Sequence, residues 1–299
     1  MNDFCIVTDG SADISAELIA EKNLNVVPFY VMLGSGEYRR QGSDVTTEAF
    51  YDWMVSNPGI FPKSSAPSAQ DYYEVFKKAA DAGEKIICIC ITTKFSSSYQ
   101  SAVIAREMIL DERPDAIIEV IDSMVNTVLQ GIYVLEACSL RDAGVSFEEA
   151  VITLKDLRAS GRIFFTIGGI EYLRIGGRIG QLAGKVGSVL GIRPIITLSD
   201  GEIHPSGMVR GRAKSLDKVL AVTKDYLTEN FTSGDEFSIC IGYGYGYDEA
   251  VSFRDKVSEL LKSINLATDI PIHRIGAVIG VHTGPYPLGV GIMKRALKA

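Results

Sequence analysis

Residues 86–98 read Ile-Ile-Cys-Ile-Cys-Ile-Thr-Thr-Lys-Phe-Ser-Ser-Ser, a short apolar run followed directly by hydroxyl side chains. Six apolar residues behind a glycine turn are typical of a buried strand, and residues 99–110 have helical spacing. The hydroxyls are therefore expected at the carboxyl end of a parallel strand, where open α/β sheets bind ligands and a helix offers N–H groups to an anion. Helix capping is the alternative, although it accounts for one hydroxyl better than for five.

Strand-like and helix-like segments alternate on both sides of this stretch up to about residue 160. Strand-like runs at 4–8, 25–33, 86–91 and 117–121 alternate with helical patterns at 15–22, 47–55, 68–83, 99–110 and 126–143. Such alternation predicts βαβ units and a parallel sheet.

After residue 160 the pattern becomes that of antiparallel strands. Runs at 162–167 and 193–198 are followed by the hairpin turn Asp200-Gly201 and a third run at 202–210. Helical patterns at 215–227 and 248–261 flank a strand at 237–241, and strand-like pieces follow at 272–281 and 288–293. We therefore expect an α/β protein of two domains, 1–160 with a parallel sheet and 161–299 with a mixed or antiparallel sheet.

Composition excludes several classes of protein. The 299 residues are 46% hydrophobic and 22% charged, as in a globular chain with a sizeable core. Apolar runs of about six residues are too short to span a bilayer, and the acidic start Met1-Asn2-Asp3 does not resemble a signal peptide, so we expect a cytoplasmic protein. Five cysteines without C-x-x-C spacing and three scattered histidines predict neither a disulfide framework nor a metal site.

Charge is unevenly distributed along the chain. The net charge of −7 argues against general nucleic-acid binding. Residues 161–214 nevertheless carry eight basic and three acidic side chains, a local net charge of +5. This basic segment is either a solvated face or a docking patch for an acidic partner or a phosphate group.

Two further groups of polar residues are candidates for the same site. Lys63-Ser64-Ser65-Ala66-Pro67-Ser68 precedes a helix that Ser68 can cap, which leaves Ser64 and Ser65 as loop residues or as a second polar wall. His282 follows the apolar run 275–281 in a Gly/Pro-rich loop, where it could orient a hydroxyl or bind a carboxylate. A lone histidine is otherwise more often structural.

Glycine spacing suggests a third feature. Five glycines recur at intervals of three, four, three and four residues, which predicts one helical face; they are Gly177, Gly180, Gly184, Gly187 and Gly191. Bare backbone on such a face serves close helix packing or forms one wall of a tunnel for a slender ligand. The sequence Gly-Tyr-Gly-Tyr-Gly-Tyr at 242–247 is only a weak signal for a nucleotide loop.

Six motifs in register resemble the DegV family: residues 8–14, 64–68, 95–102, 120–123, 173–179 and 279–285. The resemblance covers nearly the whole chain. It implies a two-domain α/β protein that buries one long-chain fatty acid between its domains and serves as the binding subunit of a bacterial fatty acid kinase. On that basis the chain is not itself an enzyme and has no cofactor, and its partners are the fatty acid, the kinase and at most a transient membrane surface.

The resemblance also assigns roles to residues. Ser64, Ser96 and Ser97 match carboxylate-binding positions, and His282 matches a histidine that supports the hydroxyl network. Gly177, Gly180, Gly184 and Gly187 remain the candidate tunnel wall. The positions associated with kinase docking are Arg178, Arg210, Arg212 and Lys214.

The chain departs from the family pattern at five places. The family usually has glycine and threonine at the positions of Ser97 and Ser98, threonine at Ser64, aspartate at Gly10 and glycine at Tyr286. Of these, Tyr286 is expected to alter the shape of the polar pocket.

Two other functions stay open at this stage. A serine-based acyl hydrolase would use Ser96 with His282 as base and needs a carboxylate that orients the imidazole. A nucleotide-binding regulator would use residues 242–246.

Overall fold

The computed structural model describes residues 4–183 and 191–297. Its strands are β1 (Phe4–Asp9), β2 (Leu24–Val27), β3 (Tyr30–Met32), β4 (Arg39–Arg40), β5 (Lys63–Ser65), β6 (Lys85–Cys90), β7 (Ile118–Asp122), β8 (Arg162–Thr166), β9 (Ile192–Ser199), β10 (Glu202–Arg210), β11 (Phe237–Tyr243), β12 (Ile272–Arg274) and β13 (Leu288–Lys294). Its α-helices are α1 (Ala16–Glu21), α2 (Thr47–Ser56), α3 (Ala69–Asp81), α4 (Ser98–Glu112), α5 (Thr127–Asp142), α6 (Phe147–Leu157), α7 (Glu171–Ile175), α8 (Arg212–Asn230), α9 (Tyr247–Ser263) and α10 (Ala277–Thr283).

The strands form the two kinds of sheet that the sequence predicts. The first sheet has the order β2-β1-β6-β7 and is parallel throughout. The second has the order β10-β9-β8-β13-β11-β12 and is antiparallel except between β11 and β12. A small antiparallel sheet, β4-β3-β5, adds to the first half. The α/β fold class is confirmed, while a domain boundary near residue 160 stays a prediction.

Helix α5 lies between the two large sheets. Thirteen of its sixteen residues are buried, and it packs against β1 as well as against β11 and β13. A helix that is apolar on nearly all sides needs such a doubly covered position. Helices α3 and α4 cover the other face of the parallel sheet, and α8 and α9 cover the other face of the mixed sheet. The main core therefore lies around α5, between the sheets.

Three local predictions are wrong. The strand expected at 25–33 is broken near Pro28 into β2 and β3, which belong to different sheets. Residues 277–281 begin helix α10 and do not extend β12, since a short apolar run does not by itself distinguish strand from buried helix. The glycine-faced helix is absent at Gly177 and Gly180, whose φ values of 70° and 49° are incompatible with a continuous right-handed helix. Gly184 and Gly187 lie outside the described residues.

Two further predictions from composition concern membrane-spanning segments and the pairing of the cysteines. In the part of the chain that the structure describes, no helix is long and apolar enough to cross a membrane. All five cysteines are buried free thiols.

Candidate functional site

A cavity of about 290 Å³ lies between the two large sheets, and the part of it around Ser64, His282, Arg178 and the Ser96–Ser97 loop is called its polar end here. Its polar side chains are those of Ser64, Ser65, Ser96, Ser97, Asn126, Arg178, His282 and Thr283, and its apolar ones include those of Phe29, Ile91, Leu173, Ile203 and Val278. The structure thus brings the four predicted carboxylate-binding residues to one cavity.

The loop between β6 and α4 supplies the first polar wall. Ser96 follows the carboxyl end of β6, and its Oγ accepts a hydrogen bond from the Ser98 N–H at 3.1 Å. Ser97 is the N-cap residue of α4 and makes no capping bond with its side chain. The positive end of a fifteen-residue helix therefore begins beside the cavity, a favourable place for an anion.

Strand β5 and helix α10 supply the second polar wall. Ser64 lies on β5, opposite Val31 of β3, and its Oγ is 3.1 Å from Nε2 of His282. These residues are 218 positions apart in the chain and meet because α10 packs against the small sheet. As expected, Ser68 serves a different purpose and caps α3 through a capping box with Asp71.

The imidazole of His282 is held in an uncharged state. Burial, together with the nearby positive charge of Arg178, lowers its pKa to about 4. Its Nδ1 is buried without a hydrogen-bond partner among the described residues, and it lies directly against the backbone of Gly176. With the proton on Nε2, the ring donates to Ser64 Oγ and leaves the serine hydroxyl free to donate to an acceptor in the cavity.

This geometry differs from that of a serine hydrolase. The hydrogen-bond partner of His282 is Ser64 and not Ser96, and no described carboxylate contacts the other ring nitrogen. A serine nucleophile needs an imidazole oriented by a third group, as in Ser-His-Asp triads. The polar end is better suited to donating hydrogen bonds than to abstracting a proton.

Asp9 lies at the end of β1 and forms hydrogen bonds at both ends of the loop that carries Ser96 and Ser97. No role for it is predicted from the sequence. Its fully buried carboxylate accepts from the Ile91 N–H at 3.0 Å and from the Ser98 hydroxyl at 2.7 Å. The Ser11 hydroxyl and the Gln130 amide donate to its other oxygen at 2.5 and 3.0 Å. The carboxylate thus fixes β1, β6, α4 and α5 relative to one another directly under the cavity.

The hairpin between β9 and β10 reaches across to the same loop. Thr92 donates to the carbonyl of Gly201 at 3.0 Å, and Lys94 lies 3.8 Å from Glu202. Ile203, just behind the turn, lines the cavity. The second half of the chain therefore closes part of a site whose loop comes from the first.

The four predicted docking residues differ in their surroundings. Arg178 lies at the cavity and donates to the carbonyls of Phe95 and Gly176 at 3.1 and 2.7 Å. Arg212 is engaged in a two-pronged ion pair with Glu249, at 2.8 and 2.6 Å. Arg210 and Lys214 are exposed on β10 and α8. The last two are therefore the most accessible members of the basic segment.

Two other predictions about the pocket can be placed. Tyr286 is 44% exposed, beside Tyr245, and is not part of the cavity lining, so it does not reshape the polar end directly. Gly177 and Gly180 are not in the lining either. Glycines do line an adjoining smaller cavity, but they are Gly242, Gly289 and Gly291. The described residues contain no cluster of three or more His, Cys, Asp or Glu side chains suited to a metal ion.

The neutral state of His282 predicts a pH dependence of stability. Its pKa falls from an ordinary value of 6.5 in the unfolded chain to about 4 in the fold. The unfolded chain therefore binds more protons between these values, and His282 should cost about 3 kcal/mol of stability as the pH falls from 6.5 to 4. Above pH 7 it should have no such effect.

The measurement is the free energy of unfolding of wild type and His282→Gln at pH 7.5 and pH 4.5. Burial raises the pKa of the Asp13 carboxyl to about 7, which acts in the opposite direction over the same range, so the difference between the two proteins is compared. The excess in free energy of unfolding of wild type over His282→Gln should be smaller at pH 4.5 than at pH 7.5, and His204→Gln serves as the control substitution. An equal difference at both pH values would contradict a buried neutral imidazole.

Comparison with known proteins places the whole chain in one group. The DegV family model matches residues 3–295. A DegV domain-containing protein of Clostridium perfringens is 31% identical over 291 residues, which cover 97% of this chain and 99% of the relative.

Solved structures give the same picture. A stearic-acid-binding protein from Eubacterium ventriosum is 39% identical, with a TM-score of 0.90 over 98% of this chain and 99% of its own. A fatty-acid-binding DegV family protein from Thermus thermophilus is 27% identical, with a TM-score of 0.86 over 98% of this chain and 100% of its own.

Proposed function

The chain belongs to the DegV family, and from this premise we propose that it binds one long-chain fatty acid between its two large sheets. In this proposal it is a carrier and not an enzyme, and it presents the carboxylate to a separate ATP-using fatty acid kinase for acyl phosphate formation and phospholipid synthesis. It works in the cytoplasm without cofactor, metal or nucleic acid, and any contact with a membrane surface is transient.

The observation that carries the proposal is a cavity that combines an apolar part with a polar end, which holds hydroxyls and a neutral imidazole. Each buried methylene contributes about 0.8 kcal/mol, so a sixteen-carbon chain supplies roughly 12 kcal/mol before the costs of association. An apolar cavity is therefore sufficient for tight binding of the tail.

The carboxylate imposes the stricter requirement, because a buried anion without partners is costly. Ser64, Ser96 and the N–H of Ser97 at the start of α4 are suitable donors. A carboxylate bound by hydroxyls and backbone N–H groups is easier to transfer to a partner than one fixed in a bidentate ion pair with arginine. This arrangement suits a carrier whose bound group must react at a partner's active site.

One prediction of this proposal is that the protein carries one long-chain fatty acid per chain when it is purified under mild conditions. Native mass spectrometry, followed by denaturation and lipid identification, measures this directly. Complete absence of bound lipid, together with no affinity for added palmitate or stearate, would contradict the proposed function.

A second prediction concerns docking of the kinase. Arg210→Ala and Lys214→Ala remove exposed charges, so they should spare fatty acid binding and slow acyl phosphate formation by the partner kinase. The effect should diminish as salt screens the wild-type attraction. Kinase turnover is measured with lipid-loaded protein titrated as substrate.

Lys262→Ala removes an exposed charge outside the basic segment and is the matched control. If the kinase turnover with Arg210→Ala and with Lys214→Ala equals that with Lys262→Ala at low salt, the basic segment is a solvated face and not a docking surface.

A further inference from the structure

A second cavity adjoins the first, and neither Ser64 nor His282 is among its lining residues. It measures about 40 Å³ and lies between the start of α5 and strands β11 and β13. The two cavities share four lining residues, namely Asn126, Phe165, Ile279 and Thr283. They therefore adjoin, and together they lead from the polar end toward the interior of the mixed sheet.

Three glycines line the second cavity where the mixed sheet packs closely against its neighbours. Gly242 and Gly289 are paired across β11 and β13, and Gly291 lies two residues further along the same face of β13. A Cβ atom on Gly242 would lie 2.9 Å from Cγ2 of Val128, and one on Gly291 would lie 3.3 Å from Cβ of Leu129. A side chain at either position would therefore press against α5 and crowd the cavity beside it.

Phe165 stands between the two cavities. It lies on β8 opposite Gly289 and lines both spaces, and it is only half-buried although its strand is central in the sheet. A Cβ atom on Gly289 would collide with the Cβ of Phe165, so the glycine lets β8 and β13 approach closely at this pair. The ring is thus placed where the tail of a ligand would have to pass.

We infer that the second cavity is the end compartment of the acyl site, and that Phe165 and Gly242 determine the length of tail it accepts. This inference rests on the proposed function. A cavity site for one water takes about 10–15 Å³ on the same measure, so 40 Å³ holds about three groups of methylene size. Acyl tails that end at Phe165 occupy the first cavity only. Longer tails place about three more carbons in the second cavity, which the three glycines line.

The expected selectivity follows from burial. Each methylene that enters an apolar space improves affinity by about fourfold. Closing the end compartment should therefore lower the affinity for a long-chain acid by tenfold or more. The affinity for an acid whose tail does not reach the compartment should stay the same. Opening the passage at Phe165 should shift the preference toward longer tails.

The experiment is displacement of a fluorescent fatty acid by saturated acids of 12, 14, 16, 18 and 20 carbons. Wild type is compared with Gly242→Ala, Phe165→Ala and the control Gly246→Ala, whose added methyl group meets only ordinary contacts. Gly242→Ala should selectively weaken the longest acids that wild type binds well, and Phe165→Ala should move the optimum to longer acids. If Gly242→Ala does not fold, Gly291→Ala tests the same compartment with milder crowding.

The outcomes separate this inference from the proposed function. An equal loss at every chain length, or an unchanged length profile in the folded variants, would overturn the end compartment while fatty acid binding stands. Failure of wild type to bind an acid of any length would overturn the proposed function itself.

Discussion

Replacing Asp9 with alanine should lower the free energy of unfolding by about 4 kcal/mol or more, because hydrogen bonds to a charged group contribute about 1.5–3 kcal/mol each. Six donors would lose a buried acceptor at once: the N–H groups of Ile91 and Ser11, the hydroxyls of Ser98, Ser11 and Tyr72, and the Gln130 amide. Since none of them can reach water in the intact fold, the loss is not compensated by solvent.

Urea unfolding followed by circular dichroism measures this effect. Asp9→Asn keeps the shape and one acceptor oxygen, so it should lose distinctly less stability than Asp9→Ala. Asp111→Ala removes an exposed carboxylate on α4 and should change stability by less than about 0.5 kcal/mol. A loss below about 1 kcal/mol for Asp9→Ala would show that the network under the cavity contributes little to the fold.

Replacing Gly176 with alanine should weaken fatty acid binding by roughly tenfold to a hundredfold. The φ of Gly176 is −74°, which alanine adopts readily, so the effect is steric. Its new methyl group would collide with Nδ1 of His282 and push the imidazole away from Ser64. Without the imidazole to orient it, the Ser64 hydroxyl no longer donates to the bound carboxylate. A hydrogen bond to such a charged acceptor contributes about 1.5–3 kcal/mol, which corresponds to the expected change in affinity.

Fluorescent fatty acid titration gives the affinity, and Gly168→Ala is the matched control in the same segment because its added methyl group meets only ordinary contacts. Combining Gly176→Ala with Ser64→Ala should add little to either change, since both remove the same hydrogen bond. Unaltered affinity in Gly176→Ala would mean that the position of the imidazole does not matter for the ligand.

Local sequence patterns were sufficient where one element follows directly on another. The apolar run at 86–91 and the hydroxyls behind it predicted β6, its loop and α4, and Asp200-Gly201 predicted the hairpin between β9 and β10. Such signals depend on neighbouring residues only, so they survive without knowledge of the tertiary structure. The placement of Ser96 and Ser97 at the cavity follows from them.

Contacts between distant residues could not be read in this way. The carboxylate of Asp9 meets Gln130 across 121 positions, and Ser64 meets His282 across 218. Asn126 follows the carboxyl end of β7, a signal that could have marked it as a lining residue of the cavity. The glycine intervals were misleading because Gly177 and Gly180 adopt turn conformations, whereas the glycines that line a cavity lie on β11 and β13.

The position of α5 between the two sheets has a consequence for synthesis on the ribosome. Val128 and Leu129 face Gly242 and Gly291 of the mixed sheet, whose last strand is completed only at Lys294. At about 5–20 residues per second, the apolar side of this helix stays uncovered for on the order of ten seconds after it is made. A nascent chain that pauses in this interval exposes the apolar surface of α5, and such a surface is what chaperones bind.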